Sequence, residues 1–176
     1  MERIGTKRVY EGRLSTIRVD EFRHADGSMT EREIVGHPGA VAIVAHDERS
    51  LYLVRQPREA VAQERLLELP AGKLDVEGES PLETAKRELA EEVGKKAAEW
   101  TELKRFYSSP GFTDEEVWVF LATGLSEASA EPDAEERIEV VRHPLGELDA
   151  AIEECEDAKS LVGLLLFREI RRTGMA

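Results

Sequence analysis

ELPAGKLDVEGESPLETAKRELAEEVGK, residues 68–95, is the segment around which the rest of the chain is organised. Its second half predicts a helix with both ends marked. Ser80 can cap it, Pro81 suits the first helical position, and Glu83 closes a capping box three residues after the cap. Gly94 predicts the stop, since glycine adopts a left-handed C-terminal conformation at least cost. Leu82, Ala85, Leu89 and Val93 recur three or four residues apart and form one apolar stripe. Glu88, Glu91 and Glu92 share a different face. Carboxylates crowded there repel one another, and a divalent cation reverses the sign of that interaction because hard cations take oxygen ligands. The plain alternative is a charged face turned to solvent.

Working outward, Ala71–Gly78 precedes the helix as a glycine-containing loop, and Arg87 stands beside Glu88. The combination resembles the Nudix box, Gly-x5-Glu-x7-Arg-Glu-U-x-Glu-Glu-x-Gly-U with U aliphatic. Gly72, Glu79, Arg87, Glu88, Leu89, Glu91, Glu92 and Gly94 occupy its defined positions. There are two departures. Six residues rather than five separate Gly72 from Glu79, and Lys95 stands at the last aliphatic position.

A length of 176 residues suits one domain, or one domain with an appendage, and is enough to bury a substantial core. No apolar run approaches a membrane span, and the N-terminus MERIGTKRVYEG lacks a signal-peptide core, so no membrane partner is expected. Cys155 is the single cysteine, which excludes an internal disulfide framework and suits a reducing cytoplasm; its surroundings suggest an ordinary helical position. The net charge of −13 argues against a nucleic-acid partner. A small phosphorylated substrate is repelled too, unless cations are recruited first.

Residues 7–24 read as extended, and Ala25-Asp26-Gly27-Ser28 as a turn returning the chain through Met29 to Val35. Such a hairpin is thin in apolar residues and needs another surface, either the main domain or a second copy of the chain. Residues 1–38 are therefore expected to form an N-terminal hairpin region and 39–176 the main domain. Ala40–Ala45 and Leu51–Val54 predict buried strands flanking the turn His46–Ser50. Arg55 and Arg58 form a basic patch that either pairs with surface carboxylates or grips a phosphate or carboxylate bidentately. Beyond the box, strands are expected at Trp100–Tyr107, Val117–Ala122 and Ile138–Val141. A helix is expected from Pro144 to about Glu154, and another over Lys159–Arg172. Ser126–Arg137 reads as an irregular acidic loop. Strands alternating with helices make a mixed α/β (α+β) domain.

Over nearly all its length the chain is similar to the ADP-ribose pyrophosphatase branch of the Nudix hydrolases. Pro110 stands fifteen residues past Lys95, as that branch's marker does, and REIVGHPGAVAIV, VRQPR, LLELPAGK, SPGFTDE and DAKS have counterparts there. The resemblance implies a Nudix α/β/α sandwich with an N-terminal antiparallel strand region exchanged across a homodimer. It also implies hydrolysis of ADP-ribose to AMP and ribose 5-phosphate; another nucleoside diphosphate sugar or dinucleotide, or a non-catalytic ligand-binding module, are the alternatives. By the same resemblance Mg²⁺, with Mn²⁺ as the substitute, is held by Glu88, Glu92, the Ala71 carbonyl, Glu91 and Glu136. Arg87 either orients these glutamates or touches substrate. The general base falls to Glu136 or Glu135, with Glu115 as the rival. Arg58 and Arg55 are the expected anion contacts, and Arg32 with Glu33 the expected adenine contacts from a partner subunit. No tryptophan precedes Trp100, so nucleobase stacking by an N-terminal indole is not available.

Overall fold

A computed structural model describes residues 1–129 and 137–174. They fall into two units, one of Met1–Gly39 with Phe106–Glu116 and one of Ala40–Arg105 with Val117–Ala176.

The first unit is an antiparallel sheet of β1 (Glu2–Glu11), β2 (Thr16–Arg23) and β3 (Met29–Gly36), in that order. The sequence predicts two strands here, and the structure has three. Residues 7–24 are broken by a turn in which the Gly12 N–H donates to Ser15 O at 2.9 Å, a tetrapeptide with no strong turn signature. The second turn forms where the sequence places it: Gly27 has φ +85°, and Asp26 Oδ1 accepts from the Ser28 N–H at 3.0 Å. One face carries an ionic centre. Asp20, 1% exposed, accepts from Thr6 Oγ1 at 2.8 Å and from Arg18 Nε at 3.0 Å. Arg18 also reaches Asp114 at 2.9 Å, and the Val35 N–H donates to Phe112 O at 2.8 Å, so the segment 106–116 is stitched to this sheet.

The second unit is built on β4 (Ala40–His46), whose six residues Ala40–Ala45 are all buried. The continuous apolar run has the cause expected of it: both faces are covered. Val41, Ile43 and Ala45 alternate to one side and join Ala85, Leu89 and Val93 of α1 (Pro81–Val93) in one core with Tyr52, Val54 and Phe120. On the other side Val44 lies against Gly163 of α3 (Ala158–Thr173), where an added Cβ would come within 3.2 Å.

Along the sheet the order is β10 (Glu139–Pro144), β5 (Ser50–Arg58), β4, β9 (Glu116–Glu127) and β8 (Lys95–Tyr107), with β6 (Gln63–Glu68) on β5 and β7 (Ala71–Lys73) on β4. β4 and β9 are parallel, Ala40 opposite Val117 through Ala45 opposite Ala122; β4 and β7 are antiparallel. This is the mixed α/β layering expected from the sequence. Three local expectations are corrected. The loop Ala71–Gly78 begins as strand β7, because its backbone pairs with β4. Pro144 ends β10 instead of opening a helix; a single 3-10 turn, Leu145–Glu147, intervenes before α2 (Leu148–Glu154). β6 had no sequence counterpart at all. Among the described residues no helix is long and apolar enough to cross a membrane.

Candidate active site

Helix α1 carries the acidic residues, and its ends are set by local chemistry. Ser80 Oγ accepts from the Glu83 N–H at 3.3 Å while the Glu83 carboxylate accepts from the Ser80 N–H at 2.8 Å; Gly94 closes the helix at φ +69°. With the apolar stripe turned to the core, Glu88 and Glu92 come out on the side facing β7, and Glu91 is held beside them by Arg87. Glu92 is 8% exposed, and its Oε2 accepts from the Ala71 N–H at 2.9 Å. Gly72 follows, and a Cβ built there would overlap the Glu88 carboxylate. The loop backbone is therefore seated directly on two carboxylates, a contact only glycine permits.

Arg87 binds three of the acids. Its Nη1 donates to Glu88 Oε1 at 2.8 Å and Glu91 Oε2 at 2.9 Å, and its Nη2 to Glu79 Oε2 at 3.1 Å. The hydrogen bond to Glu79 is the largest influence raising the guanidinium pKa, so Arg87 stays charged at any working pH. One positive against these three negative charges leaves the cluster net anionic before Glu92 is counted. Glu79 also accepts from Thr84 Oγ1 at 2.9 Å, which ties the start of the helix to the arginine.

The preceding connection, Glu68–Ala71, is held residue by residue. Glu68, 1% exposed, accepts from Arg58 Nε at 2.6 Å and Nη2 at 2.8 Å, and from Lys159 Nζ at 2.7 Å. The Leu69 N–H donates to Ser160 Oγ at 2.7 Å, and Pro70 O accepts from the Ile43 N–H at 2.8 Å. Asp157 caps α3, taking the Ser160 N–H at 3.0 Å, the Ser160 hydroxyl at 2.6 Å and Lys159 Nζ at 3.0 Å. LLELPAGK and DAKS stand out in the sequence as segments, but nothing in either assigns a task to Glu68, Asp157, Lys159 or Ser160. Their link across some ninety residues is a tertiary fact no local pattern carries.

Burial alone would raise the carboxyl pKa values of Glu68 and Asp157. Arg58 and Lys159 outweigh burial at Glu68, and Lys159 with Ser160 does so at Asp157, so both lie below the ordinary range. Depressed carboxyls contribute stability that is complete above their unfolded values near 4 and is lost as pH falls through the folded ones. The thermal midpoint should hold from pH 7 to about 5 and fall below about 4. Glu68→Gln should start lower at pH 7 and fall less steeply, as read by thermal unfolding.

The remaining predicted residues divide by location. Arg55 pairs with Glu154, as Arg58 does with Glu68, so both arginines of the patch have carboxylate partners. In the first unit Arg32 and Glu33 are exposed on β3, with Arg32 Nη1 on Glu31 O at 2.7 Å, and Glu115 lies 3.4 Å from His37 Nδ1. Glu135 and Glu136 lie outside the described residues. Cys155 is buried with its thiol pKa raised by that burial, a core residue and not a nucleophile.

The donor set suits a hard divalent cation. It is all oxygen, gathered where β7 meets α1, and the Gly72 cradle brings main chain against the carboxylates. Among the described residues no three acidic or histidine side chains converge into a closed cage. Mg²⁺ needs none, since it takes one or two carboxylates and keeps its other positions for water and phosphate.

The family model described as the NUDIX domain matches residues 36–162. An ADP-ribose pyrophosphatase of Bacillus subtilis (strain 168) is 41% identical over 162 residues, covering 89% of this chain and 86% of that protein. An ADP-ribose pyrophosphatase of Mycobacterium tuberculosis is 47% identical over 127 residues, covering 72% of this chain and 61% of that protein. The crystal structure of an ADP compounds hydrolase superposes with a TM-score of 0.85 at 27% identity, covering 99% of this chain and 96% of the other.

Proposed function

This chain belongs to the Nudix hydrolase family, and on that footing we propose that it hydrolyses the pyrophosphate of ADP-ribose to AMP and ribose 5-phosphate. The observation that carries the reading is the seat of the Ala71-Gly72 backbone on Glu92 and Glu88. It brings the Ala71 N–H and the Gly72 backbone against two carboxylates in an acidic protein, where a cation would serve as the bridge to an anionic substrate. Glu88, Glu92 and the Ala71 carbonyl would hold Mg²⁺ or Mn²⁺, with Glu91 beside them. Bound there, such ions supply neutralisation of the pyrophosphate charge and a more acidic water.

The chain's own residues do the rest. Arg87, anchored on Glu79, fixes the rotamers of Glu88 and Glu91, so it acts as a positioning residue. Arg58 and Arg55 present guanidinium groups to the substrate anion, oriented by Glu68 and Glu154. Glu136, or Glu135 beside it, accepts the proton of the attacking water, with Glu115 as the rival for that task. A homodimer in the cytoplasm, with Arg32 and Glu33 of one protomer lining the adenine pocket of its partner, completes the reading.

A second reading, hydrolysis of other ADP compounds or nucleoside diphosphate sugars, is favoured by the absence of tryptophan before residue 100 and by the fold shared with an ADP compounds hydrolase. A substrate panel with Mg²⁺ separates the two. ADP-ribose should turn over at least about tenfold faster than UDP- or GDP-sugars, the margin that about 1.4 kcal/mol of differential binding gives. Faster turnover of a sugar nucleotide or dinucleotide would overturn the assignment. Tight binding of ADP-ribose with no AMP released would make the chain a ligand-binding module.

A further inference from the structure

The start of α3 lies one connection away from the carboxylates, yet it determines where the connecting loop sits. Four consecutive residues are anchored: Glu68 by its side chain, Leu69 by its N–H, Pro70 by its carbonyl and Ala71 by its N–H. Two of those anchors, on Glu68 and on Leu69, come from α3. Ser160 is fully buried, and its hydroxyl has both roles filled, accepting from Leu69 N and donating to Asp157 Oδ2. One turn further, Gly163 lets the α3 backbone close on the same loop: a Cβ there would come to 2.5 Å from Leu69 Cδ1. Polar contact and steric register thus act on one residue, two positions before Ala71.

We infer that Ser160, held by Asp157, is a positioning residue for the cation site, setting the Ala71 backbone against Glu92 through the Leu69 N–H. The inference rests on the cation reading above. It is a role outside the glutamate cluster, on a different helix, and it predicts a change in ion affinity and not only in stability. Groups that orient ligands without touching the ion typically alter affinity by 10–100-fold.

The test is Mn²⁺ binding to the full chain, read from the paramagnetic resonance signal of the free ion without substrate. Ser160→Ala should raise the Mn²⁺ dissociation constant about tenfold. Gly163→Ala, which pushes on Leu69 and leaves the hydroxyl in place, should weaken binding as well. Phe167→Leu is the control: Phe167, one turn beyond Gly163, packs on His46 with ring centroids 4.8 Å apart, so its loss softens the same helix and leaves the Ser160 and Gly163 contacts with Leu69 in place. It should lower the thermal midpoint and leave Mn²⁺ affinity unchanged. Unchanged affinity in Ser160→Ala, or an equal loss in Phe167→Leu, would overturn the positioning role while leaving the cation reading intact. No Mn²⁺ binding by the unmodified chain would overturn the cation reading itself. If Ser160→Ala does not fold, Asp157→Asn keeps a helix cap but weakens the acceptor for the Ser160 hydroxyl, and it carries the same expectation.

Discussion

Glu92→Gln is expected to lower ADP-ribose turnover about 10³-fold, the kinetic equivalent of losing several kcal/mol of charge stabilisation. Its thermal midpoint should stay within about 3 °C of the unmodified protein. The two expectations have separate causes. The Ala71 N–H needs only an oxygen acceptor on residue 92, and a glutamine amide oxygen provides one in nearly the same place, so the loop keeps its seat. The change removes a negative charge from a side chain that is 8% exposed. Burying a neutral amide is easier than burying a carboxylate, so folding has no reason to suffer. Turnover measured as AMP release in Mg²⁺, alongside a thermal unfolding scan, checks both. A variant running at full speed would mean that the glutamate face holds no catalytic cation and that Glu92 serves only to seat the loop. So would undiminished activity of the unmodified protein in excess EDTA.

Gly72→Ala should be the second large effect, a fall of about 10²-fold in turnover, which is what a displacement near 1 Å of a reacting group costs. The new methyl would take the space of the Glu88 carboxylate. The overlap runs from Glu88 Cγ to its carboxylate, so that side chain must turn to another rotamer, giving up its bond to Arg87 and leaving the β7 loop, a change confined to one side chain and not to the backbone. Gly78→Ala makes the comparison. Gly78 has φ +83° with nothing within 4 Å of a built Cβ. An alanine there strains the backbone by about 1 kcal/mol and displaces nothing. Gly78→Ala should lose stability and keep its rate, while Gly72→Ala should keep stability and lose its rate. The same loss pattern in both would show that the loop tolerates a side chain at 72.

Helix α1 was legible to the residue at both ends because its signals are local: the cap, the proline, the box partner and the terminal glycine all lie within one turn of the positions they govern. β4 and β5 were legible because strands covered on both faces have no reason to alternate polarity. β6 and β7 were not. QERLLE offers one apolar pair and AGK only three residues, and each becomes a strand through its neighbour, β5 or β4. The turn at Gly12–Ser15 was hidden among charged residues that suit strand and turn alike. At the site, types and spacing along one helix could be read directly, so Glu88, Glu91, Glu92 and Arg87 emerge together. The buried Glu68, with partners Arg58 ten positions and Lys159 ninety-one positions away, could not be read. A buried charge looks like a surface charge until its counterions are located.

The parallel pairing of β4 with β9, together with α3 on β4's other face, has a consequence for synthesis of the chain. AVAIVA leaves the ribosome about a hundred residues ahead of the helix that covers it, a delay on the order of ten seconds at usual elongation rates. Throughout that interval the face of this uncharged, β-prone hexapeptide that bears Val44 lacks its helical cover, even after β5, β7 and α1 have emerged. Translation arrested before α3 emerges would release a fragment suited to sticking to its own kind, and holdase chaperones would find their binding segment there.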